Sequence, residues 1–207
     1  MPLSNVYKGE FDQPVIGQVF FVLLVRTASK SAIMSQTPPP RTIAVAGATG
    51  RQGQGIVQAL LSDTSNNPWL VRALTQDPQS AKAQEFLSRN QTSDGRLSLV
   101  AGQVYDAPSL LTAFDGAYGV FAMTSERYPG KSLTEEEDLK HEIDAGRNMI
   151  VAAKKCGVKH FVFSSLPDVI SASNGKYTKI YHMNNKHIIE QLAREQLDGF
   201  SSLIPGT

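Results

Sequence analysis

The residues best suited to chemistry stand in one short run, Gly47-Ala48-Thr49-Gly50-Arg51-Gln52-Gly53. This G-x-x-G-x-x-G pattern follows the apolar run Thr42-Ile43-Ala44-Val45-Ala46 and opens a segment with helical periodicity. Gly47 permits a tight strand-to-helix turn, Gly50 lets backbone amides approach a pyrophosphate, and Gly53 allows close helix-to-strand packing. The helix N-terminus beyond them adds partial positive charge for the phosphates. The pattern therefore points to a dinucleotide. The next strand should end beside the adenosine ribose, where an acidic residue favours NAD and an arginine favours the 2′-phosphate of NADP. That strand closes on Thr75-Gln76-Asp77, with Gln76 uncharged and Asp77 one residue late. Arg51 either reaches a 2′-phosphate or remains a solvated loop arginine, so both dinucleotides stay open.

The elements that must position this loop alternate at a regular beat, which argues for a parallel sheet with crossover helices. Strands are expected at 42–46, 69–75, 97–101, 117–123, 160–164 and 200–204. Helices are expected at 52–61, from Pro78 to about Ser88, at 108–114, 134–156 and 180–196. Pro78 suits a first helical turn. Thr134 with Glu137 reads as a capping box, and Gly157 as the glycine that closes the long helix. The sum is an α/β, doubly wound Rossmann-type sheet in the order 3-2-1-4-5-6.

Composition excludes some classes. The chain has 207 residues, 41% hydrophobic and 19% charged, with a formal net charge of +1 and scattered basic residues. Neither a nucleic-acid face nor a membrane partner is indicated. The single cysteine, Cys156, fits a reducing compartment and reads as a packing residue. We therefore expect a cytoplasmic, or alternatively nuclear, location. The four histidines show no metal-ligand spacing, so no metal site is expected. Residues 1–40 differ from the rest: the apolar run 15–25 is shorter than the roughly 20 residues of a membrane span. A second methionine, Met34, opens a proline-rich leader. We expect 1–40 to be a disordered or artefactual extension, with a weak targeting segment as the alternative. The domain proper is 41–207. Because the chain stops just after its sixth strand, at Leu203-Ile204-Pro205-Gly206-Thr207, a C-terminal lobe is expected to be missing.

Taken together, VAGATGRQGQGIVQALL (45–61), VRALTQDP (71–78), GQVYDAPSLLTAFDGAYGVFAMT (102–124), EEEDLKHEIDAGRNMIVAAKKCGVKHFVFSSLPDV (135–169) and KYTKIYHMNNKHIIEQLARE (176–195) resemble the NmrA-like family, atypical relatives of the short-chain dehydrogenases. The resemblance implies NAD(P) binding, commonly NADP(H), with either redox-sensing regulation or oxidoreductase activity. Carried over by position, it puts Gly47, Thr49, Gly50, Arg51, Gln52 and Gly53 at the pyrophosphate. Gln76 and Gln103 fall at the adenosine side, where relatives often carry arginine and aspartate; Asp106 keeps its match. Met123, Thr124 and Ser164 fall near the nicotinamide ribose. His182 and Lys186 match an H-x-x-x-K stretch.

Short-chain dehydrogenases use a Tyr-x-x-x-Lys pair, in which tyrosine moves the carbonyl proton and lysine holds the ribose. Here Tyr177 precedes Tyr181, and Tyr181 precedes Asn185, so no such pair exists. The spacing survives as His182 and Lys186, neighbours on one helix face. A histidine can donate a proton near neutral pH, and Lys186 can hold a ribose; the alternative roles are a partly buried histidine and a solvated lysine. Ser164 and Ser165 could equally cap the turn that follows. The missing tyrosine favours a dinucleotide-binding regulator with a protein partner. The other reading is an NAD(P)H-dependent reductase of a small carbonyl or quinone-like substrate, with His182 and Lys186 catalytic.

Overall fold

The structure, a computed structural model, describes residues 38–205. The expectations for 1–37, including the apolar run and Met34, lie outside the described residues, as do Gly206 and Thr207. Six parallel strands, β1 (Thr42–Val45), β2 (Leu70–Thr75), β3 (Leu97–Ala101), β4 (Gly119–Ala122), β5 (His160–Ser164) and β6 (Phe200–Leu203), form one sheet in the order β3-β2-β1-β4-β5-β6. The order reverses between β1 and β4, which opens a crevice at their carboxyl ends.

Alternation along the strands feeds two cores. Ile43, Val45, Val71 and Ala73 pack under α1 (Arg51–Leu61) and α2 (Ala81–Asn90). Ala44, Val120, Phe161 and Phe163 pack against α3 (Ala107–Phe114), α4 (His141–Lys155) and α6 (Tyr181–Gln196) on the other face. Both faces are covered, which is why the central strands are apolar on both sides, Ile43–Val45 in β1 and Val120–Ala122 in β4, rather than alternating with polar residues.

Two helix starts differ from the sequence reading. α2 begins at Ala81, not at Pro78: Asp77 accepts from the Gln79 amide at 2.8 Å, and Ser80 caps the helix by accepting from the Ala83 amide. Local side-chain bonds therefore outcompete the proline signal. The Thr134–Glu137 capping box does not form. A 3-10 turn spans Glu137–Lys140, and α4 starts at His141. Leu139 is the only apolar residue from 134 to 140, so an earlier turn would have no face to bury. A short helix that the sequence did not announce, α5 (Val169–Ala172), follows β5, with Asp168 capping it. Gly157 closes α4 as expected, at φ +65°.

Candidate functional site

The glycine loop joins β1 to α1. Gly47 has φ +70°, and a Cβ there would stand 2.8 Å from Met123 Sδ, so the loop and the end of β4 share one wall. The Gly50 amide donates to the Gly47 carbonyl at 2.9 Å and closes the turn. At Gly53 a Cβ would lie 2.1 Å from the Gly47 oxygen, so the helix meets its own entry turn backbone to backbone. Gly50 caps α1 with no side-chain bond, and the first turn holds no acidic residue. Leading amides without a side-chain cap or negative neighbour suit an anion. The residues present thus fit a pyrophosphate. Gln54 Nε2 donates to the Thr49 carbonyl and fixes the loop from the helix side. A hollow of about 180 Å³ beside it is lined by Thr49, Gln54, Lys82 and Arg89 among others.

Past the end of β2, Gln76 stands beside a turn whose only acid, Asp77, is committed to the Gln79 amide. Gln103 is exposed, its amide donating to Ser109 Oγ at 2.9 Å and its carbonyl accepting from the Asp106 amide. Asp106 stands at the N-terminus of α3 without capping it through its side chain.

The second half of the crevice holds the charged groups. α6 buries a stripe of Lys186, Ile189, Glu190 and Ala193, at helical spacing, so Lys186 occupies what is otherwise a core position. It is not a solvated lysine: its exposure is 5%. Nζ donates to the Ser164 carbonyl (3.0 Å), the Thr124 hydroxyl (3.2 Å) and the Thr124 carbonyl (3.3 Å), and lies 5.1 Å from the Phe163 ring centroid. Burial pulls its pKa below that of a free lysine, and the nearby Glu142 carboxylate opposes the shift. Thr124 and Ser164 are themselves buried just past β4 and at the end of β5. Neither Ser164 nor Ser165 caps the next turn, which Asp168 does.

Glu142, which the sequence reading passed over, joins these groups. It heads the buried face of α4, above Ala145, Gly146, Met149 and Ile150, and is 1% exposed. Its Oε1 accepts from Thr124 Oγ1 at 2.7 Å and lies 3.9 Å from Lys186 Nζ; its Oε2 is 2.9 Å from His182 Nδ1. The signal was present as a charged residue on an otherwise apolar helical stripe. α4 and α6 approach closely enough for these bonds because position 146 is glycine: a Cβ there would stand 2.6 Å from Ile189. His182 opens onto a cleft of about 230 Å³ with Glu126, Leu139, Ile180, Tyr181 and Asn185. One flank is an aromatic group: Tyr105 donates to His141 Nδ1 at 2.7 Å, and His141 Nε2 donates to the Glu126 carbonyl at 3.1 Å, with Tyr128 stacked 4.7 Å from Tyr105. Burial, with the negative charge near Tyr128, Glu142 and Asp144, pushes the Tyr105 hydroxyl up to about 12.

A doubly wound parallel sheet with an anion-ready glycine turn at its switch point defines a Rossmann-type nucleotide-binding domain. The NmrA-like family model matches residues 39–203, and the chain belongs to that family. It is 34% identical over 163 residues to the NmrA-like family domain-containing oxidoreductase FrzB of Cladobotryum sp., covering 79% of this chain and 44% of that one. It is 37% identical over 158 residues to the corresponding oxidoreductase hkm9 of Aspergillus hancockii, covering 74% and 42%. Among solved structures, the NADPH complex of the NADPH-dependent quinone oxidoreductase QOR2 from Escherichia coli superposes with a TM-score of 0.57 at 22% identity, over 79% of this chain and 48% of that one. The NADP(H) complex of Citrobacter sp. triphenylmethane reductase gives 0.58 at 21%, over 80% and 49%. The chain thus spans less than half the length of these relatives and about half that of the solved neighbours.

Proposed function

We propose that this chain forms the dinucleotide-binding and proton-handling part of an NADP(H)-dependent reductase of a small carbonyl or quinone-like acceptor. The observation that carries the reading is the buried Lys186 ammonium between the ends of β4 and β5, with His182 beside it on an open cleft. Gly47, Thr49, Gly50, Arg51, Gln52 and Gly53 cradle the pyrophosphate; Gln76 and Gln103 border the adenosine. Met123, Thr124, Ser164 and Lys186 border the nicotinamide ribose. A dinucleotide held there would supply the hydride. His182 supplies the proton to the acceptor oxygen and takes another from solvent, so that hydride and proton together turn a carbonyl into CH–OH, or a quinone into its hydroquinone. Lys186 contributes a fixed positive charge beside the developing oxyanion and the ribose. Preference for NADP(H) is supported by the absence of a free acid at the end of β2 and by neighbours described with NADPH or NADP(H).

A redox sensor with a protein partner is the second reading, favoured by histidine standing where the short-chain dehydrogenases place tyrosine. One experiment separates the two. The 207-residue chain is melted with each dinucleotide, then assayed for NADPH oxidation with menadione. Binding to the native state alone raises stability by about 2.7 kcal/mol at a hundredfold excess over Kd. The reductase reading expects an upward shift with NADPH and turnover that drops about 10²-fold or more in His182→Ala. A shift without turnover, across a panel of carbonyls and quinones, sinks it in favour of the sensor.

A further inference from the structure

Glu142 has no role in the preceding reading, yet it is the most enclosed charged side chain of the site, and its carboxylate oxygens face three other polar groups of the site. A carboxylate only accepts hydrogen bonds. Thr124 Oγ1 donates to one oxygen, so the short contact at the other requires the proton of His182 to sit on Nδ1. Nε2 has no partner among the described residues, and the ring lines the cleft. A carboxylate that bonds the inner nitrogen of an imidazole in this way sets both its tautomer and its orientation.

We propose that Glu142 is a positioning residue: it locks Nδ1–H of His182 inward, so that a second proton taken up from solvent sits on Nε2 and is the one handed to the acceptor in the cleft, leaving the neutral Nδ1–H ring. The proposal rests on the reductase reading for its chemistry, but the lock itself does not. During reduction the Nε2–H bond breaks as the acceptor O–H bond forms. The hydride comes from NADPH, and solvent returns the proton to Nε2. Glu142 keeps its negative charge throughout and stays bonded to Nδ1–H. Through Thr124 the same carboxylate reaches the Lys186 ammonium, so the proton donor and the cation near the ribose are registered against one group. Gly146, one turn further along α4, sets the distance by admitting Ile189. A structural carboxylate would need no such alignment of donors from β4 and α6.

The test reads the ring directly. Nitrogen-15 NMR of the histidines in the full chain, with His182 assigned by its loss in His182→Gln, should show a protonated, hydrogen-bonded Nδ1. In Glu142→Gln the amide donates to Nδ1 instead, so the proton should move to Nε2. With NADPH and menadione, kcat of Glu142→Gln should fall about 10²-fold, while KM and the NADPH-induced melting shift stay within twofold of wild type. A wild-type ring with a bare Nδ1, or a tautomer unchanged in Glu142→Gln, overturns the proposal. The wild-type spectrum decides even if the variant does not fold. Absence of turnover in wild type, with the tautomer as expected, would instead defeat the reductase reading.

Discussion

Two glycines on one helix, two residues apart, should respond to alanine in opposite directions. At Gly53 the added Cβ would meet the Gly47 oxygen at 2.1 Å, the Gly47 carbon at 2.7 Å and the Ala48 Cα at 2.8 Å. All three are backbone atoms of a turn already closed by the Gly50 amide, so no rotamer change relieves them. Ordinary contact begins near 3.4 Å, so the helix must move by more than an ångström. Overpacking of this kind costs about 1–3 kcal/mol, and a backbone clash belongs at the upper end. The helix-propensity gain of about 1 kcal/mol offsets part, leaving about 2 kcal/mol net. For a domain of this size that lowers the melting temperature by roughly 4–8 °C. At Gly55 nothing lies within 4 Å of the new Cβ, and the position is exposed. Only the propensity gain remains, raising the melting temperature by roughly 2–4 °C. The assay is thermal unfolding by circular dichroism, with and without NADPH. Gly53→Ala should also lose most of the NADPH shift, because the moved turn carries the phosphate-facing amides, whereas Gly55→Ala should keep it. A Gly53→Ala protein that melts at or above wild type would refute the packing argument.

Other outcomes follow from other contacts. Gly146→Ala should weaken menadione reduction by forcing α4 from Ile189, whose two γ carbons stand 2.6 Å from the new Cβ, and Ile189→Ala in the same chain should restore part of it; no recovery would mean that the spacing does not set the site. His160, partly buried beside Ser201, has its pKa held below the usual 6.5 by burial. The unfolded chain therefore binds more protons between the folded value and 6.5, so stability is flat above this window and falls as pH drops through it. The difference in melting temperature between wild type and His160→Gln should shift against wild type as pH falls from about 7.5 to about 5, and a constant difference would contradict the assignment. Tyr105→Phe removes the hydroxyl bond to His141 and should cost about 1 kcal/mol, seen as a lower melting temperature; an unchanged melt would show that the stacking with Tyr128 suffices.

The glycine turn was legible because its geometry is local: three glycines at fixed offsets between a strand and a helix require no knowledge of the rest of the chain. The strand order followed from the same beat of alternating elements, and Gly157 from a local backbone need. The acid-handling half was less legible. Lys186 and His182 showed their spacing, but the burial of Lys186 depends on β4 and β5, which lie far from it along the chain. Glu142 sits in the first turn of α4, where an acidic residue ordinarily complements the helix dipole in solvent. Only the apolar residues spaced below it mark that face as inward. Pro78 and Thr134 misled for a different reason: each is a valid start signal, overruled at one by Asp77 and Ser80 and at the other by the lack of an apolar face.

The shared wall between Gly47 and Met123 has a further consequence. The groups proposed to face a dinucleotide's phosphates and adenosine hang from β1, β2 and β3, whereas those proposed to move protons hang from β4, α4, β5 and α6. Between them the chain crosses once, through α3, and the two sets meet at that glycine and that sulfur. Cofactor choice and acceptor choice can therefore drift independently in such a fold. Under the proposed function, a substitution at Gln76 or Gln103 should change which dinucleotide is held without disturbing Glu142, and a remodelled cleft around Tyr181 should leave the glycine turn intact. The seam itself is the position where the two kinds of change become coupled.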